Sequence, residues 1–518
     1  MSVSSLRVGR LASTTAAPPD TPTQQEQNMY DGNNEDEPMN RQEESVRQSA
    51  YSANCEDAEE SSNNTSDDDE EESETMSSSS SSSSSSSEED DEIPTNLSTI
   101  NTSCIEEAQL SPDGTCIFTT DHARRFSVYA MPTTTTTGSN PANLKPYAQL
   151  QATDPIWAFA SNPYFDLYDS STTTVLLSQR DHYITLHNAL WDISNTSPTP
   201  PPHGGPINIS PILTSYKLIN SLTEAYITPL SLTYTHSGTH FYAGHQNTIS
   251  IFDVGESSAP ISNIPTIPSK RSILKGGGVG FKGHITSLSL SPSSLYARDG
   301  ILAAGSRTRW IGLYDSRTSE AVTSFSLPGG SRSQETTSEA GGAGGGVTQL
   351  KWMPDGNYLC IAERRSDTLL FYDARNYKIA VSWCTDRNAL TNQKVGFDIW
   401  SPEDSSIVAN NALGAGGRRS GEVWGGGTDG SVRVWTEPWN KDGAMQPDRV
   451  IDVDGVFGDD VQKERLPVVS CLLGRGGGMA VVARGRREGS KWGGNSRSTT
   501  TSRSLDLGRL DVLSLGGG

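Results

Sequence analysis

A strand carrying one large ring recurs along this chain at near-constant intervals, and no other feature restricts its fold as tightly. The equivalent positions are Tyr129, His187, Phe252, Tyr314, Tyr372 and Trp435, separated by 58, 65, 62, 58 and 63 residues. They lie in the short segments FSVYA, ITLHNA, ISIFDV, IGLYDS, LLFYDA and VRVWT. Upstream of five of them is a second alternating segment that ends in a tight turn: EAQLSPDG, LSLTYTHSG, TSLSLSPSS, TQLKWMPDG and VGFDIWSPED. Period-two alternation closed by Pro, Asp and Gly marks strand and turn, and no stretch shows convincing helical periodicity.

A repeat of about 40 to 45 residues with four strands is a propeller blade. The surplus here falls in Gly-, Ser-, Thr- and Pro-rich insertions such as SNTSPTPPPHGGP and PGGSRSQETTSEAGGAGGG, which read as surface loops. A last partial unit, Leu466 to Arg487, brings the count to seven, and a strand from near Ile93 to Ile105 is expected to close the ring. The expected fold is therefore all-β, a seven-bladed β-propeller over residues 96–487. Its rings should pack between blades, and the polar residue that follows each, Asp253, Asp315, Asp373 or Asn188, should hydrogen-bond inside its own blade. Trp435 takes the ring position of the sixth unit, and the literal Trp191-Asp192 pair falls outside the register.

The remainder of the chain differs in kind. Residues 1–95 hold 24 acidic residues against 4 arginines, so they carry 20 of the 22 net negative charges, and they include eleven consecutive serines from Ser77 to Ser87. Such a segment is expected to be a long disordered acidic, serine-rich tail, because it has too little apolar surface to offset its ordering entropy. Residues 488–518 read as a flexible Gly/Ser/Arg-rich tail. Gly474 to Ser498 holds six basic residues against one Glu, an RGG-like pattern suited to salt-dependent phosphate contact. The six cysteines are widely spaced, which argues against a disulfide framework or zinc site, and no apolar run is long enough for a membrane helix.

Catalysis and cofactor binding are not expected. Gly278 to Gly283 spells GxGxxG, but a strand follows it where a dinucleotide site needs a helix. There is no phosphate-binding GxxxxGK[ST] loop, and the eight histidines are scattered. Candidate contacts come instead from cations and rings in loops: Arg307, Arg309 and Trp310 in one turn, Arg418 and Arg419 in a Gly-rich insertion, and Asn392, Gln393 and Lys394 in the segment ALTNQKVGFDIWSP. Arginine and aromatic side chains on a rigid rim suit phosphates and unpaired bases.

That last segment resembles the junction between the fifth and sixth blades of the telomerase Cajal body protein family of WD-repeat proteins, whose signature is Thr-Thr-Asn-Gln-Arg, then an aromatic, Phe and Asp. Thr391, Asn392, Gln393, Phe397 and Asp398 match it, with Lys394 in the place of Arg. Ser221 to Val254 and Gly283 to Thr318 resemble the family's preceding blades, and the similarity runs from about Cys104 to Ala483. The serine and glycine tracts fit the family's fungal, splicing-linked branch. The resemblance implies a nuclear, non-enzymatic scaffold whose partners are small non-coding RNA, ribonucleoprotein proteins and other proteins on the propeller faces, with no membrane and no small-molecule substrate. The other reading open at this point is a protein-interaction propeller without RNA, such as an adaptor or ubiquitin-ligase substrate receptor.

Overall fold

The computed structural model describes residues 7–14, 103–132, 142–194, 205–256, 258–267, 280–292, 300–328, 344–401, 420–454, 465–486 and 507–516. All of them belong to one compact unit built from seven antiparallel sheets arranged as the blades of a propeller. The expected acidic tail beyond residue 14 lies outside the described residues.

Blade 1 comprises Ile105–Leu110, Cys116–Asp121, Arg125–Ala130 and Ala148–Gln151, with the short Ile207–Asn208 added at its rim. Blade 2 comprises Ile156–Ser161, Thr174–Gln179, Ile184–Asn188 and Ile212–Tyr216. Blade 3 follows with Ser231–Tyr234, His240–His245, Thr248–Asp253 and Ser262–Pro265, and blade 4 with Ile285–Leu290, Ile301–Ser306, Trp310–Asp315 and Ala321–Ser326. Blade 5 has Val347–Trp352, Tyr358–Glu363, Leu369–Asp373 and Ser382–Cys384, with Gly443–Met445 paired parallel at its edge. Blade 6 has Phe397–Trp400, Glu422–Gly426, Ser431–Thr436 and Arg449–Asp452.

The seventh blade corrects the sequence expectation. Val468–Leu473 and Met479–Arg486 are joined by Leu507–Gly516, and the fourth strand is Arg7–Ser13 from the other end of the chain, with Ala142–Asn143 beyond it. Both segments lie in stretches expected to be tails. Ile105, expected near the closing strand, instead opens the innermost strand of blade 1. The physical reason lies in LGRLDVLSLG, whose Leu510, Val512, Leu513 and Leu515 are all buried, and in RVGRLAS, which seats Ala12 against Ile105, Val481 and Val512. Joining the first strand to the last closes the ring and covers the edge of Leu507–Gly516.

Seven core clusters account for the seven blade junctions, each taking side chains from two neighbouring sheets. Tyr129, Phe252, Tyr314, Tyr372 and Trp435 are buried within them. His187 is buried too, its Nδ1 3.1 Å from the carbonyls of Ile209 and Pro211 and its Nε2 2.9 Å from Thr185 Oγ1, so its polar atoms are satisfied where a ring would otherwise sit. The polar residue after each ring caps the following turn: Asp253 accepts from Gly255, Asp315 from Arg317 and Thr318, Asp373 from Arg375, and Asn188 from Leu190 and Trp191.

The first strands of all seven blades line a central channel of about 440 Å³. A circuit of side-chain to backbone hydrogen bonds runs around it. Gln109 donates to the Phe159 carbonyl, Ser178 to Pro229, Ser231 to Ile285, and Thr286 to Val347. Gln349 then exchanges two 2.9 Å bonds with Phe397, Asp398 accepts from the Leu473 amide at 2.8 Å, and Ser470 accepts from Ala108 at 3.3 Å. Every junction is bridged at least once, so these polar side chains on or beside the apolar inner strands are paired across the blades.

Candidate nucleic-acid interface

Because neighbouring strands within a blade are antiparallel, the loops sort to two ends. The turn between second and third strands, and the segment entering each blade, share one end, called here the entry end; the other turns lie at the opposite end. Arg307, Arg309, Trp310 and the Asn392 to Lys394 segment all belong to the entry end.

The segment entering blade 6 is held from beneath by Arg387. This guanidinium is fully buried, donates to the carbonyls of Val395 and Gly396, and is pushed down to about 10 by burial, with the nearby Cys360 and Asp367 opposing that shift. Gln393 reaches across to blade 7, where its Nε2 donates to the Gly485 carbonyl at 3.0 Å, while its backbone amide bonds Thr391 Oγ1. Lys394 pairs with Glu107 of blade 1 at 2.8 Å. These two side chains therefore tie blade 6 to the closing junction. Asn392 alone of the three is exposed to solvent.

A similar division holds in the turn of blade 4. Arg309 forms a bidentate pair with the buried Glu363 of blade 5, 2.6 and 3.0 Å, and also donates to the Pro328 carbonyl, so it locks two blades together. Trp310 is half-buried and stacks on Phe281, ring centroids 6.5 Å apart. Arg307 points outward. Arg418 and Arg419 lie outside the described residues.

Sequence reading missed the partners of Arg307. The turn of blade 5, Glu363-Arg364-Arg365, brings Arg364 close enough that burial and the charge of Arg307 both push its guanidinium below the usual range. Among the described residues, neither Arg307 nor Arg364 has a carboxylate partner, and Arg365 is exposed beside them. The glycines that enter blade 5 make this approach possible. The Arg364 amide donates to the Gly346 carbonyl at 2.8 Å, and Gly345 returns a bond to the Arg364 carbonyl at 2.6 Å. Gly346 sits at φ +112, and a Cβ there would run into the Arg307 carbonyl. Arg365 in turn donates its amide to Thr391, which puts Asn392 at the edge of the same group, and the exposed Lys282 lies beside Thr308. The only sequence signal was the Arg-Arg pair between two strands, which by itself reads as an ordinary solvated turn.

Like charges drawn together without a counter-ion favour a polyanion with several acceptor oxygens. Among the described residues no cluster of three His, Cys, Asp or Glu side chains could hold an ion, and no helix is long and apolar enough to cross a membrane. The described cysteines are buried and form no disulfide with one another. The GxGxxG run leads from Gly283 into the strand Ile285–Leu290.

No family model matches the chain. It is 24% identical over 383 residues to telomerase Cajal body protein 1 of Mus musculus, a match covering 73% of this chain and 56% of that protein. The Homo sapiens protein of that name is 23% identical over 359 residues, covering 68% and 53%. The guanine nucleotide-binding protein negative regulator 1 of Schizosaccharomyces pombe is 23% identical over 338 residues, 64% of this chain and 69% of that protein. The chain thus spans about half the length of the telomerase Cajal body proteins it matches. With its seven sheets and this similarity, the chain is a WD-repeat propeller protein related to the telomerase Cajal body proteins.

Proposed function

We propose that this protein is a non-catalytic nuclear scaffold that binds a small non-coding RNA at the entry end of its propeller and so supports ribonucleoprotein assembly linked to splicing. The observation that carries the reading is the meeting of the Arg307 and Arg364 turns at Gly346, with no carboxylate partner for either arginine among the described residues. Two guanidiniums brought together from neighbouring turns, Arg307 exposed and Arg364 half-buried, lower their energy when a phosphodiester lies between them, and Arg365, Lys282 and Asn392 extend the same surface. The names of the relatives, which carry telomerase and the Cajal body, support the same direction. Gln393, Lys394 and Arg309 act here as positioning residues, since the Gln393 amide nitrogen, the Lys394 ammonium and the Arg309 guanidinium are engaged within the propeller.

The test is a salt titration of RNA binding by the full chain, using nuclear small RNA as the probe. R307E/R364E should lose binding while melting within a degree or two of the parent. The neutral R307Q/R364Q should lower the slope of log affinity against log salt by roughly 1.4, two single-strand phosphate contacts. An unchanged affinity and slope in both variants would exclude this face.

A further inference from the structure

The opposite end of blade 2 carries a feature that the RNA reading leaves unused. Large apolar side chains exposed to solvent are concentrated there: Tyr164, Leu167 and Tyr168 in the loop between first and second strands, and Trp191 and Ile193 after the third. Tyr168 is 99% exposed. A chain gains nothing in stability from holding a ring in this way, and clusters of this kind mark interaction surfaces.

The loop is also fixed before any partner arrives. Phe165 plugs into the core between blades 1 and 2, edge-on to Phe118 at 5.4 Å. Asn162, Asp166 and Asp169 each accept the amide two residues on, at 2.9 Å. The Tyr164 ring rests on Gly238 of blade 3, where a Cβ would stand only 3.2 Å from it. Asn188 joins this loop to the neighbouring turn, donating to the Ser170 carbonyl and accepting from Trp191. A loop backbone fixed in this way loses little entropy on binding.

Charge selects the partner. Asp166 is exposed between the tyrosines and Asp169 directly after them, Ser171 donates to Asp169 through both its hydroxyl and its amide, holding that carboxyl below its usual range, and no Lys or Arg lies between Asn162 and Gln179. Anionic groups beside open aromatic faces repel nucleic acid and favour guanidinium, which can stack on a ring while pairing with a carboxylate.

We propose that this loop is the docking surface for an arginine-bearing linear segment of a partner protein, on the end of the propeller away from Arg307. The probe is a fluorescein-labelled Arg-Gly repeat peptide, with Lys-Gly and Gln-Gly counterparts, titrated by anisotropy into the full chain. The Arg peptide should bind more tightly than the Lys peptide, and the Gln peptide should not bind. Y164A/Y168A should weaken binding about tenfold, Y164F/Y168F should retain it, and D166N/D169N should remove most of its salt dependence. R307E/R364E should leave it unchanged, which separates this site from the RNA surface. Absence of binding would overturn the proposal, and so would binding that Y164A/Y168A and D166N/D169N leave within twofold, because the acidic residues before Ile93 would then be taking the peptide by charge alone.

Discussion

At the scale of single residues, the polar side chains that look available in sequence divide by what they touch. The Arg309–Glu363 pair is buried and bidentate, so breaking it strands a charge. Glu363→Gln is expected to cost about 3 kcal/mol in denaturant unfolding. Lys394→Ala removes a pair that is partly open to water, and its cost should be under about 1 kcal/mol. Equal costs for the two would contradict the division drawn here. His245 supplies a pH dependence. Burial, with a smaller contribution from the charge of His284, pushes this imidazole down to about 4, and its Nε2 lies 2.9 Å from Ser250 Oγ. Its folded value lies below the unfolded value near 6.5, so the unfolded chain binds the extra proton between those limits. The neutral histidine's contribution is complete above about pH 6.5 and is lost as pH falls toward 4, about 3 kcal/mol in all. His245→Gln should flatten stability over that window; an unaltered profile would show that another group dominates.

At the scale of strands and turns, much of the molecule was legible because period-two alternation and Pro-Asp-Gly turns survive the insertions. The third strands of blades 1 to 6 and five of the inner strands were read from these signals, and the ring positions fall in the blade junctions. Leu507–Gly516 was not read, because a Gly-, Ser- and Arg-rich stretch separates it from the last obvious strand and the low-complexity context hid its alternation. Arg7–Ser13 was obscured in the same way by the acidic residues that follow it. The arginine cluster escaped for a different reason: it joins turns from two blades about 57 residues apart, and no local pattern reports that proximity. The glycines entering blade 5 are the element that creates it. Gly346→Ala places a methyl group against the Arg307 carbonyl at a positive φ, so it should both lower the melting temperature and weaken RNA binding. Retained RNA affinity in a destabilised Gly346→Ala protein would show that the spacing of the two turns is immaterial.

For the whole molecule, closure depends on the two ends of the chain meeting. Asp511 is fully buried and takes Arg484, Arg10 and Arg509 around it, at 2.5, 3.3 and 3.1 Å, so the first and last strands are joined by charge as well as by their ladder. Deleting residues 1–14 should open blade 7, expose the edge of Leu507–Gly516 and make that strand a site of rapid proteolysis, with a clear drop in melting temperature. Parental stability after the deletion would mean that the ring closes without it. Within the closed ring, the channel circuit fixes the seven inner strands, and the two ends present opposite chemistries: arginines without a carboxylate partner among the described residues at one, tyrosines with aspartates at the other. The measurement that bears most directly on this account is crosslinking of the tagged full-length protein to RNA in cells, followed by sequencing of the attached RNA, with R307E/R364E and Y164A/Y168A alongside. The account expects one small nuclear RNA class to be enriched by the parent and by Y164A/Y168A and lost from R307E/R364E. Enrichment that survives R307E/R364E, or no enrichment over an unrelated propeller, would contradict it.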